Sequence, residues 1–93
     1  MNIILNITDF INKKKTIIDK INDLIIKYNL NLYNFKVDSK SRNADYKVCA
    51  RNINDNIINK FIILVKRNIG LNIKLVNNDY LDGRYMIYFK LDY

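Results

Sequence analysis

Twice along this chain the apolar residues fall at helical spacing and then switch to strict alternation. Ile17, Ile18, Ile21, Leu24, Ile25 and Tyr28 recur every three or four residues, which places them on one stripe of a helix. Two alternating runs follow, Tyr33, Phe35, Val37 and then Tyr46, Val48, Ala50. The switch then repeats. Ile57, Ile58, Phe61, Leu64 and Val65 keep helical spacing, and Leu71, Ile73, Leu75 and Tyr85, Ile87, Phe89, Leu91 alternate. A helix with one apolar stripe and a strand with one apolar face must each bury that side against another layer. The pattern therefore predicts an α+β two-layer sandwich, with two helices on one face of a four- or five-stranded, mainly antiparallel sheet.

The breaks between elements have their own chemistry. Thr16 and Asp19 suit a helix start after the interruption at Lys13, Lys14 and Lys15, and Phe10 and Ile11 continue the same stripe before it. Residues 39–44, SKSRNA, are a polar, basic loop between the first two strands, which makes that pair a hairpin with a long turn. Asn52 or Asn54 can cap a second helix over about residues 54–68, Lys66 and Arg67 suit its last turn, and Gly70 its stop. The stretch NNDYLDG, residues 77–83, reads as a turn that reverses the chain through Asp82 and Gly83. Residues 2–7, NIILNI, alternate Ile3, Leu5 and Ile7 as a short strand does, and they also extend the helical stripe backwards. With a strand there, the order resembles the ferredoxin-like arrangement with one extra strand at the end; without it, the order is helix-strand-strand repeated twice. Ile17, Ile18, Lys20 and Leu24 recur forty residues on as Ile57, Ile58, Lys60 and Leu64, as in a duplicated unit. Neither arrangement carries an activity with it.

Composition narrows the class. With 49% hydrophobic and 27% charged residues in 93, the sequence predicts one small folded domain, residues 1–93, rather than a disordered chain. No apolar run approaches membrane-spanning length, and MNIILNITDF has no basic leader and no small-residue cleavage site, so the expectation is a cytoplasmic protein without a membrane partner. A lone Cys49 fits that compartment. Abundant Ile, Asn, Lys and Tyr point to an AT-rich coding sequence of the viral, phage, organellar or low-GC bacterial kind. The same bias inflates Lys, so the net charge of +7 is informative only through where it gathers.

Much catalytic chemistry is absent. Without histidine there is no Ser-His or Cys-His pair and no His-based metal site. Cys49, between Lys47 and Arg51, reads as a small strand side chain. Asn77, Asp79 and Asp82 lack calcium-loop spacing. No glycine loop exists to cradle phosphate, since the glycines are Gly70 and Gly83 alone. The expectation is a non-enzymatic protein with no cofactor and no metal.

Alternation then assigns the sheet's two faces. The apolar rows, Tyr33, Phe35, Val37, with Tyr46, Val48, Ala50, Leu71, Ile73, Leu75 and the Tyr85 row, face the helices. The opposite face collects Lys36, Lys47, Arg51, Lys74, Arg84 and Lys90 with Cys49, Val76, Met86 and Tyr88, against a single acid, Asp92. Lys and Arg there would meet phosphates, Tyr88 or Met86 would lie against a base or sugar, and the loop residues Lys40 and Arg42 would extend the surface. This predicts a module that engages nucleic acid or a nucleoprotein complex by backbone contacts. The runner-up is a small viral or phage accessory protein that inhibits a host protein by direct contact. The long apolar C-terminal strand also offers an edge for homodimer formation.

Overall fold

The computed structural model of the protein describes residues 17–40 and 43–92. The strand expected at residues 2–7, the helical residues before 17, and Arg42 lie outside the described residues. Six elements follow in order: helix α1 (17–27), β1 (Leu32–Val37), β2 (Tyr46–Ala50), α2 (Asp55–Ile69), β3 (Ile73–Leu81) and β4 (Arg84–Leu91). Two helices pack on one face of a four-stranded, wholly antiparallel sheet of order β1-β2-β4-β3. The fold class expected from periodicity is thus the observed one, an α+β sandwich, and the described elements follow the helix-strand-strand order twice.

Each helix ends where the sequence supplies a left-handed residue. In α2, Asn54 caps the start by accepting from the Asn56 and Ile57 amides at 3.0 and 3.3 Å, and Gly70 (φ 78°) closes the end. In α1 the same role falls to Asn29 (φ 51°). Its N–H donates to the Ile26 carbonyl and the Leu30 N–H to the Ile25 carbonyl, the doubled closure that buries Leu30 behind the helix. The buried stripes match at the forty-residue offset: Ile21, Leu24 and Ile25 on α1, Phe61, Leu64 and Val65 on α2.

The core lies between helices and sheet. Phe61 reaches Phe35 and Phe89, with ring centroids 5.8 and 5.4 Å apart, and Phe35 stacks on Tyr46 at 5.2 Å. Ile21, Leu24, Phe35, Phe61, Leu64, Ile73 and Phe89 are all buried, as their spacing implies.

Both edge strands carry an irregularity, and there the expected faces change. In β1 the register shifts between Tyr33 and Lys36, around Asn34 at φ 58°. Leu32, opposite Ala50, takes the helix-side place that simple alternation gave to Tyr33, and Tyr33 pairs with Cys49 on the other face. Phe35 recovers its backbone bonds from α1: its N–H donates to Asn22 Oδ1 (3.1 Å) and its carbonyl accepts from Asn22 Nδ2 (3.0 Å). In β3 the shift falls between Leu75 and Asn77, so Val76 is the extra residue rather than a member of the face row. Beyond it the strand continues to Leu81, where the sequence suggested a turn. The turn itself is only Asp82 and Gly83, both at positive φ, the two-residue form whose twist matches antiparallel strands. Val37 (53% exposed) and Leu75 (40%) sit on the edge strands, where the helices no longer cover them.

Candidate nucleic-acid interface

The register gathers the expected cations on the face opposite the helices. Lys36 lies directly across from Lys47, and Lys74 directly across from Lys90. Tyr88 follows Lys47 in the next strand, so Lys90 lies one two-residue step along β4 from that level. With strands about 5 Å apart and a two-residue step of about 7 Å, the four lysines form a diagonal band about 16 Å long across all four strands. Arg51 follows Ala50, the last paired residue of β2, and Arg84 precedes its partner Tyr85, so both arginines stand at the opposite end of the face. Lys36, Arg51, Lys74, Arg84 and Lys90 are exposed.

Like charges directly opposite one another on a sheet are destabilising. Two such pairs on one face are therefore not explained by stability. Lys47 is the exception in its surroundings. Its side chain is only 16% exposed, and its Nζ stands 3.9 Å from Oδ1 of Asp38, a buried carboxylate. Asp38 Oδ1 also accepts the Lys40 backbone N–H, while its Oδ2 has no hydrogen-bond partner among the described residues. Lys47 is thus partly committed to the protein itself. Lys40 is exposed beside it on the loop.

Three further placements differ from the sequence expectation. Besides Asp38, the acid that strand register brings to this face is Asp79, level with Met86 and brought round by the irregularity in β3, whereas Asp92 lies past the end of β4 with its N–H on the Asn72 carbonyl. The centre of the face is closed rather than open: Cys49 is 2% exposed and Tyr88 7%, and Met86 Sδ is 3.3 Å from Cys49 Sγ. Tyr88, expected to lie against a base, therefore has no ring face to offer, and the aromatic available on this side is Tyr33, 38% exposed. Finally, β4 is hydrogen-bonded to β2 on one side and β3 on the other, so it has no free edge for the homodimer expected through the C-terminal strand. The edges are β1 and β3.

At the arginine end, a cleft of about 680 Å³ opens between the end of α1, the start of β1 and the β2–α2 loop. Ile25, Leu30, Leu32, Ile53 and Ile57 make its floor, and Tyr33 and Arg51 belong both to it and to the sheet face. Alternation alone hides this cleft, because it places Tyr33 on the core side of β1. The run of asparagines around residues 29–34 and 52–54 was its visible trace. Among the described residues, no three His, Cys, Asp or Glu side chains converge to hold a metal, and no helix is long and apolar enough to cross a membrane.

No protein-family model matches this chain, and neither the curated proteins nor the solved structures yield a match.

Proposed function

We propose that the protein is a non-enzymatic, cytoplasmic binding module that engages nucleic acid, alone or within a nucleoprotein complex, through the cationic sheet face. The observation that carries this reading is the pair of directly opposed lysines, Lys36/Lys47 and Lys74/Lys90, on one side of one sheet. Repulsion between Lys74 and Lys90 costs folding free energy, while Asp38 offsets part of it at Lys36/Lys47, and a polyanion laid over the band turns the remaining cost into attraction while releasing counterions. The buried Tyr88 argues against bases stacking on the central strands, so phosphates are the main target and the contact positions the ligand without reading its sequence. Fluorescence anisotropy of labelled oligonucleotides at low and high salt tests this: binding at low salt that weakens steeply with salt is expected. No binding by the wild-type protein at low salt sinks the proposal.

A second reading, a protein-binding accessory factor that inhibits its target by contact, draws on a different surface. Tyr80 (63% exposed) and Leu81 (61%) stand at the tip of the β3–β4 hairpin on an edge strand. Aromatic anchors of this kind dominate protein interfaces. Tyr80→Ser would then abolish partner capture and leave nucleic-acid binding intact.

A further inference from the structure

Three asparagines, Asn29, Asn31 and Asn52, rim the cleft at the arginine end of the sheet, and each is exposed. Their neighbour Asn54 uses its side-chain oxygen to cap α2. The side chains of these three make no hydrogen bond among the described residues. Asn29 and Asn31 both adopt left-handed backbone conformations, which fixes the loop that presents them. A primary amide carries a donor pair and an acceptor side by side, the complement of a nucleobase edge. Tyr33 adds a partly exposed ring, placed here only because the β1 irregularity turns it away from the core. Arg51 adds a positive charge that belongs equally to the cationic face.

The floor below these groups is aliphatic, and the volume falls in the ~300–1,000 Å³ range typical of small-molecule sites. Apolar floor, one aromatic face, several unengaged amides and one cation at the mouth form the set of groups that holds an unstacked base and its phosphate. A duplex keeps its bases paired and stacked, out of reach of such a cleft. We infer that the cleft accepts one unpaired nucleobase of a single strand whose backbone continues over the lysine band. Tyr33 stacks on the base, Asn29, Asn31 and Asn52 meet its edge, and Arg51 holds the adjoining phosphate. This rests on the nucleic-acid reading and names its substrate class: single-stranded rather than duplex.

The experiment compares three probes by anisotropy at low salt: a short single-stranded oligonucleotide, the same backbone carrying abasic sites, and a duplex. Wild type should prefer the intact single strand over the abasic one by about 5- to 150-fold, the range for one stacked base. Tyr33→Ala should remove that preference without changing the salt slope, and Tyr33→Phe should keep it. Asn52→Leu should alter the ranking among homopolymers of different bases, a readout that loss of stability alone does not produce. Equal affinity for intact and abasic strands overturns the base cleft and leaves the phosphate-binding face standing. Absence of binding to every probe overturns both.

Discussion

Replacing Lys36 and Lys74 by Ala removes one member of each opposed pair and leaves Lys47 beside buried Asp38. If the five exposed face cations each neutralise one phosphate of a single strand, Lys47 being held by Asp38, log affinity falls against log salt with a slope of about −3.5, at about 0.7 per phosphate. A fourfold rise in salt then weakens wild-type binding about 130-fold. The double variant loses about 1.4 from that slope, so the same rise weakens it only about 20-fold. Its affinity at low salt also drops, alike for all sequences, because phosphate contacts do not specify. Stability should move the other way. Relieving two like-charge contacts leaves the unfolding free energy unchanged or raises it, by at most about 1 kcal/mol per pair. Anisotropy over a salt series, with thermal unfolding by circular dichroism on the same samples, reads both quantities. An unchanged slope would refute phosphate contact by these lysines. A loss of about 2 kcal/mol in stability would show that their aliphatic stems hold the sheet together, and the reasoning from repulsion would fail.

Other expectations follow from single positions. Phe61→Ala empties a site that touches Phe35 and Phe89, and chemical denaturation should show a loss of about 3–5 kcal/mol. Asn22→Ala strips both partners from the Phe35 peptide at the β1 irregularity, and the same assay should show a cost of about 1–3 kcal/mol, with amide exchange at Phe35 accelerated. Gly83→Ala places a side chain at φ 79° in the hairpin turn; open space around it means that only backbone strain is felt, about 1–2 kcal/mol. Cys49→Ala should leave oligonucleotide affinity unchanged, since the thiol is buried against Met86, and a loss of binding with an intact melt would overturn that placement.

Local sequence determined much of this molecule. Helical spacing in 17–28 and 57–65 identified the buried stripes Ile21, Leu24, Ile25 and Ile58, Phe61, Leu64, Val65, because a helix's period depends on its own backbone hydrogen bonds and on nothing distant, whereas Tyr28, at the same spacing, lies past the last turn of α1 and is 36% exposed. Alternation likewise placed Lys36, Lys47, Lys74 and Lys90 on one face, and Asp82-Gly83 marked the tight turn. What tertiary structure alone decided was which strands meet, and where the alternation is interrupted. That β4 lies inside the sheet rather than at its edge follows from long-range pairing with β2, about which the run GRYMIYFKLDY carries no local signal. One extra residue at Asn34 and one at Val76 sent Tyr33 and Asp79 to the cationic face. Asn22 on α1 satisfies the amide and carbonyl that the first irregularity leaves open. The cleft exists for the same reason: its walls come from α1, β1 and the β2–α2 loop, which only the packed sandwich brings together. A period of two assigns sides only while it is unbroken, and the energy that permits a break is supplied by partners far away in the chain.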